Sequence, residues 1–179
     1  SKYRTKLDYS SKFIYLGNIQ EEKGMDDLLK LTNLLSDDYV IDIYGNIREN
    51  KYGYIRKLQD PIVSYRGIIN PSEAQKIISE YDVLILPSYR EGYPGVIVEA
   101  FSVGVPVLAT NLKGISEIVK NGVSGILVPT NNPLKLAEAM RDFDSKNYIK
   151  FSHEAKKSFI DFDTSIQTAK MLKLLLNEP

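Results

Sequence analysis

No cysteine occurs anywhere in the 179 residues. That removes disulfides, thiolate metal sites and cysteine nucleophiles together, and it suits a reducing compartment. Only one histidine is present, His153. Zinc enzymes and Ser-His-Asp machinery draw on histidine, so both are disfavoured. Charge of one sign is also lacking, since 23 Lys and Arg balance 23 Asp and Glu. Nucleic-acid binders show surplus Lys and Arg, so no nucleic-acid partner is expected. No stretch reaches the roughly 20 apolar residues that span a bilayer. The opening 12 residues are polar and basic, without the apolar core of a signal peptide. Internal repeats and low-complexity tracts are absent. The chain opens on Ser rather than Met, as expected of a processed protein or a segment of a longer one.

What is there is a globular composition, 43% hydrophobic and 26% charged, which excludes a disordered tail or a fibrous repeat. A single domain of this size buries roughly 70% of its unfolded surface, enough for a core without staples. Short apolar runs at 13–16, 39–44, 62–65, 82–86, 105–109 and 125–128 alternate with helical patterns. Several runs are apolar almost throughout, as strands covered on both faces are. Leu28, Leu29, Leu31, Leu34 and Leu35 recur at helical spacing, as do Ala74, Ile77 and Ile78. The second of these helices has a clear start: Asn70 as cap, Pro71 at the first position and Glu73 to complete a capping box. A further helix follows Pro133. Strand alternating with helix predicts a Rossmann-like α/β fold, a doubly wound parallel sheet of about six strands with helices on both faces. Residues 1–12 read as an extension, 13–143 as the domain, and 144–179 as C-terminal helices near 148–159 and 165–176. These pack either on the domain or on something outside the chain. Ligands of such sheets sit beyond the carboxyl ends of the strands, which directs attention to the loops after Leu16, Tyr44, Tyr65, Leu86 and Ala109.

Two of those loops carry chemistry. Gly17-Asn18-Ile-Gln-Glu-Glu-Lys23-Gly24 runs from a strand end into a helix start. Glycine admits close backbone approach, a first helical turn offers free N–H groups, and Lys suits phosphate. Taken alone the segment reads more simply as a turn with an exposed Lys. The second loop is sharper: Leu86-Pro-Ser-Tyr-Arg90-Glu91-Gly-Tyr93-Pro94-Gly95-Val96-Ile-Val-Glu99-Ala. Glu99 falls among apolar neighbours, where a carboxylate without a partner is costly, and paired sugar hydroxyls would serve it. Free amides where the helix begins would face an anion. Two carboxylates for a polyol and an amide cradle for phosphate outline a nucleotide-sugar site. The plainer alternative pairs Glu99 with a Lys on a neighbouring helix and leaves Glu91 solvated. Tyr52–Tyr54 could stack on a ligand, though surface packing is the simpler reading. Lys156-Lys157 reads as a solvated pair, and His153 as a surface or packing residue.

The order of motifs is informative. Gly17 through Lys23-Gly24, then Tyr65-Arg-Gly67, the 82–88 run, Glu91-x7-Glu99, Gly104-Val-Pro106, Gly114-Ile-Ser-Glu117 and Gly122-x-x-Gly125 follow one another. The series resembles the C-terminal half of the retaining nucleotide-sugar glycosyltransferases of GT-B family 4, over about three quarters of the chain. The resemblance implies that Glu99 binds the ribose hydroxyls and Glu91 the transferred sugar. Amides around Gly95 and Val96 would meet the distal phosphate or the sugar, and Lys23 would neutralise the diphosphate. The loop from Ile68 would edge the base, while Gly17, Asn18, Arg90 and Tyr93 would complete the donor site. It implies an NDP-sugar donor, UDP- or GDP-linked, and no metal, since Lys and helix dipoles carry the neutralisation. It also implies a glycan or lipid-linked acceptor held by a preceding lobe, in a cytoplasmic enzyme at the inner face of the membrane.

Two positions depart from the family. Asn18 stands where an Arg is usual, and Pro94, which has no N–H, where many members have Gly. Arg90 is a candidate to replace the absent cation. Three readings stay open: the donor half of a glycosyltransferase for bacterial surface polysaccharide or lipopolysaccharide, a non-catalytic nucleotide-sugar binding module, or a sugar-nucleotide epimerase of related fold. Glu91-x7-Glu99 speaks against the last.

Overall fold

The computed structural model describes residues 8–162. Its strands are β1 Lys12–Leu16, β2 Val40–Tyr44, β3 Val63–Gly67, β4 Val83–Leu86, β5 Val107–Thr110 and β6 Gly125–Val128. All neighbours pair in parallel, in the order β3-β2-β1-β4-β5-β6. This is the doubly wound six-stranded sheet that the alternating pattern predicts. Every residue of β4 and β5 is buried, which is why those runs are apolar throughout rather than alternating.

β1 pairs with β2 on one side and β4 on the other, so the winding direction reverses there. Right-handed crossovers then put α1 (Met25–Lys30) on one face and α2 (Ala74–Ile78) and α3 (Gly95–Ser102) on the other. The short α4 (Lys113–Ser116) follows β5. α5 (Pro133–Asp142) packs beside α1, and α6 (Ser145–Phe162) along α3. The switch point lies between β1 and β4, where sheets of this kind bind ligands.

Several helices differ from their sequence patterns. The 28–35 repeat is not one helix: α1 ends at Lys30 and a 3-10 turn covers Leu31–Asn33. Thr32 Oγ1 donates to Leu29 O at 3.0 Å, a local bond that competes with helix continuation. Asn70 does cap, its Oδ1 accepting from Ser72 N–H at 3.1 Å and from Ser72 Oγ at 2.9 Å. Glu73 does not complete the box, because the first turn, Pro71–Glu73, is 3-10 rather than α-helical. Asn132 caps α5 through Lys135 N–H at 3.0 Å, with Pro133 in the first turn.

The expected helix at 148–159 is part of the 18-residue α6, which packs on the domain. Tyr148, Phe151 and Ala155 are buried, with Phe151 5.1 Å from Phe143 between ring centroids. Lys156 is not solvated as the sequence suggests. Its Nζ donates to the Ser102 carbonyl at the end of α3, where a helix favours a cation, and burial pulls its pKa down. Lys157 and His153 are exposed. The helix expected at 165–176 lies outside the described residues.

Tyr52 packs, as the simpler reading had it, but in the core rather than on the surface. It is buried, not displayed for stacking, and its hydroxyl donates to Asp26 Oδ1 at 2.7 Å. Tyr54 is the exposed one. No helix among the described residues is long and apolar enough to cross a membrane.

Candidate functional site

Two loops meet at the switch point. The loop after β1 turns through a 3-10 segment, Glu21–Lys23, into Gly24. Gly24 has φ +72°, and a Cβ there would sit 1.8 Å from Pro87 O. Only glycine admits both the left-handed backbone and this close approach. The contact presses the first loop onto the end of β4. Above it, the N–H groups of Tyr89 and Arg90 donate to Glu22 O at 2.8 and 3.3 Å.

A second glycine fixes the far wall. A Cβ on Gly114, in α4, would lie 1.5 Å from Gly92 O. The loop after β4 is therefore clamped between α4 and the loop after β1. The mouth between these loops is a cavity of about 370 Å³ lined by Glu22, Lys23, Arg90, Glu91 and Gly92. Beside it lies one of about 500 Å³, sharing Glu22 and Arg90 and adding Gln20, Glu21, Glu49 and Tyr89.

Lys23 and Glu91 come together. Lys23 Nζ donates to Glu91 Oε1 at 2.8 Å, with side chains only 22% and 10% exposed. Ser88, fully buried, donates through Oγ to the same Oε1 at 2.9 Å, and Thr110 Oγ1 donates to Ser88 O at 2.5 Å. Both bonds fall on Oε1, so Oε2 meets no partner among the described residues. Glu91 is thus the held carboxylate. Burial, and then the Asp27 carboxylate, push the pKa of the Tyr89 hydroxyl up to about 12.

Glu99 is the opposite case. It is half-buried on α3, burial raises its pKa, and no hydrogen bond or ion pair reaches its carboxylate among the described residues. The plainer alternative had Glu99 paired and Glu91 solvated; the arrangement is the reverse. At the start of α3, Ile97 N–H donates to Pro94 O at 3.1 Å. The amides of Gly95 and Val96 are left without an intrahelical acceptor. Beside Gly92 and Gly95 a Cβ would meet nothing within 4 Å, so the loop and helix start are open.

The remaining expected residues are more scattered. Gly17 is tied to the sheet, donating N–H to Tyr44 O at 3.0 Å. Asn18 is exposed, and its Oδ1 accepts from Arg48 Nε at 3.2 Å. Ile68 and Tyr93 are 68% and 61% exposed and line neither cavity. Arg90 lines both. Sequence reasoning missed Ser88, Thr110 and Gly114 as supports, although Ser88 and Gly114 stand inside the motifs. Nothing local in sequence marks Thr110 or Arg48, which are brought in by the sheet. No cluster of three or more metal-ligating side chains occurs among the described residues.

Residues 10–144 match the model of the family described as glycosyl transferases group 1. This chain belongs to that family. Among curated relatives of this glycosyltransferase domain is D-inositol 3-phosphate glycosyltransferase of Paenarthrobacter aurescens, 29% identical over 74% of the chain and 35% of that protein. Another is the N,N'-diacetylbacillosaminyl-diphospho-undecaprenol α-1,3-N-acetylgalactosaminyltransferase of Campylobacter jejuni, 25% identical over 85% of the chain and 41% of that protein. The putative colanic acid biosynthesis glycosyltransferase WcaL of Salmonella typhimurium is 33% identical over 58% of the chain and 26% of that protein. The domain spans about two fifths or less of the length of these relatives. Among solved structures, HepE of Anabaena in complex with UDP and glucose superposes with TM-score 0.78 at 18% identity, over 96% of the chain and 50% of that protein. The C-terminal domain of the group 1 glycosyltransferase LpcC from Francisella tularensis gives TM-score 0.73 at 18% identity, over 87% of the chain and 86% of that domain. The fold is that of the GT-B glycosyltransferases.

Proposed function

We propose that this domain is the donor-binding half of a retaining GT-B glycosyltransferase of family 4. The full enzyme moves a hexose-type sugar from a UDP- or GDP-linked donor to a glycan or lipid-linked acceptor, in the synthesis of bacterial surface polysaccharide or lipopolysaccharide. It works in the cytoplasm, at the inner face of the membrane where a lipid-linked acceptor is presented. The observation that carries the reading is the Lys23–Glu91 pair at the switch point. One cation and one carboxylate, both largely shielded, stand in the same open mouth.

The chemistry follows from the geometry. Diphosphate entering the mouth competes with Glu91 for Lys23, whose charge then stabilises the leaving group as the sugar–phosphate bond breaks. Glu91 stays fixed through Ser88, and Oε2 accepts from sugar hydroxyls. Gly95 and Val96 amides face the distal phosphate. Glu99 accepts from the ribose hydroxyls, which supply the partner its half-buried carboxylate lacks. Arg90 reaches the mouth from the same loop as Glu91.

Titration of the chain with UDP, GDP and ADP tests binding. At least one should bind, and Lys23→Ala should weaken the diphosphate more than the matching nucleoside. Equal loss for both makes Lys23 structural. The acceptor lobe is not part of this domain in the reading, so residues 1–179 alone should transfer no sugar from donor to acceptor. Robust transfer by them contradicts it.

A further inference from the structure

Two bonds converge on one oxygen of Glu91, and they come from different places. Lys23 Nζ reaches Oε1 at 2.8 Å from the loop after β1. Ser88 Oγ donates to the same oxygen at 2.9 Å from just past the end of β4. Lys23 keeps 22% of its side chain exposed and lines the mouth. Ser88 is fully buried and lines neither cavity. A ligand entering the mouth can therefore draw the amine away from Glu91 but cannot reach the hydroxyl. Once a diphosphate takes up Lys23, the Ser88 bond is the side-chain hold that remains on Glu91 among the described residues.

Ser88 is itself held. Its carbonyl accepts from Thr110 Oγ1 at 2.5 Å, and Thr110, the last residue of β5, is buried. The parallel pairing of β4 with β5 sets Leu86 opposite Ala109, so Ser88 and Thr110 meet where that ladder ends. Two hydroxyls thus run in series from the sheet to the loop. Thr110 fixes the Ser88 backbone, and Ser88 fixes the Glu91 carboxylate. A hydroxyl has one proton to donate. Both are committed within the protein, so the pair supports Glu91 and has no donor left for a ligand.

The consequence is geometric. With Oε1 tied down, Oε2 is the oxygen presented to a ligand, on a side chain that lines the mouth. A carboxylate free to turn would lose that freedom on binding, whereas one already fixed loses little.

We propose that Ser88 and Thr110 are positioning residues for the sugar end of the ligand: they hold Glu91 after Lys23 turns to the diphosphate, so that Oε2 meets the sugar hydroxyls. This rests on the nucleotide-sugar reading given above, in which Glu91 contacts the sugar and Lys23 the phosphates. Loss of either hydroxyl is then felt by a sugar nucleotide and not by the nucleoside diphosphate alone.

The test is calorimetric titration of the chain and its variants with UDP-glucose, UDP-N-acetylglucosamine and GDP-mannose, each against its own nucleoside diphosphate, with the melting temperature of every variant recorded. Ser88→Ala should weaken the sugar nucleotide that binds about tenfold and leave the matching diphosphate nearly unchanged. Thr110→Val, which removes the hydroxyl and keeps the branched shape, should give a smaller loss of the same kind, about threefold. Both losses should vanish when Glu91 is already Ala, because the hydroxyls then have no carboxylate to hold. Should Ser88→Ala fail to fold, Ser88→Cys, a similar shape with only a weak donor, should show the same selective loss.

Unchanged sugar-nucleotide affinity in Ser88→Ala, alongside a clear loss in Glu91→Ala, overturns the proposal and leaves the site reading standing. Equal loss of sugar nucleotide and diphosphate in Ser88→Ala, with a lowered melting temperature, overturns it in favour of a general structural role. A Ser88→Ala loss that persists in the Glu91→Ala background shows that the hydroxyl does not act through Glu91, which overturns it as well. Failure of the unaltered chain to bind any of these nucleotides overturns the site reading, and this proposal with it.

Discussion

The loop that carries Glu91 and the helix that carries Glu99 hold two carboxylates eight positions apart in very different states. Glu91 is clamped by Lys23 and Ser88 before any ligand is present. Glu99 is half-buried with its pKa raised and no partner among the described residues. The loop is pre-organised, so a ligand finds its geometry already built. The helix face holds a partly desolvated carboxylate, which a donor from a ligand would stabilise. Glu99 is only partly buried, so its carboxylate is within reach of a donor from outside.

The comparison breaks most completely if the clamp is removed. Gly24→Ala should destabilise the domain by about 2–5 kcal/mol, combining a left-handed backbone with overpacking against Pro87. Gly114→Ala should act similarly through Gly92 O, 1.5 Å from the added Cβ. Thermal or denaturant unfolding reads the loss. A shift of a few tenths of a kcal/mol would mean that the loop gives way freely and is not clamped.

Lys23→Ala should have the next largest effect. It leaves Glu91 shielded without its cation, which should cost about 1–3 kcal/mol of stability. Denaturant unfolding reads the loss, and a stability equal to that of the unaltered chain would show that Glu91 does not depend on Lys23.

Glu99→Gln sharpens the contrast from the other side. The folded-state pKa of Glu99 lies above its ordinary value of 4.5. The folded state therefore holds the proton more tightly than the unfolded chain does. Stability falls as pH rises from about that ordinary value through the raised one. Glu99→Gln should remove this decline, leaving the empty domain at least as stable at neutral pH while weakening nucleotide binding by about 1–3 kcal/mol. A destabilised Glu99→Gln domain at neutral pH would show that the carboxylate has a partner within the protein. The smallest effect belongs to Asn132→Ala, far along the chain from either carboxylate. Losing the α5 cap should cost about 1 kcal/mol with nucleotide affinity unchanged.

Much of this was legible in the sequence. The apolar runs gave all six strands, because strands covered on both faces leave a continuous signal. The glycines and paired carboxylates located the two loops that meet. What stayed hidden depends on non-local contact. That Glu91 rather than Glu99 is the paired carboxylate follows from Gly24 pressing on Pro87, seen only once β1 and β4 lie side by side. Lys156 reads as a surface charge until α6 is laid along α3 and its amine reaches Ser102. Arg48 carries no motif and comes to Asn18 through the pairing of Ile47 with Ile19. Tyr52 packs as expected but in the core rather than on the surface, and its hydroxyl meets Asp26 on a different segment.

The central claim is that one mouth grips a nucleoside diphosphate, with cations at the phosphates and Glu99 at the sugar of the nucleoside. A crystal structure of the chain with bound UDP tests it most directly. The account predicts diphosphate oxygens within hydrogen-bond distance of Lys23 and of the Gly95 or Val96 amide, and both ribose hydroxyls donating to Glu99. UDP bound elsewhere on the sheet, or bound in the mouth with Glu99 still without a partner, would contradict it.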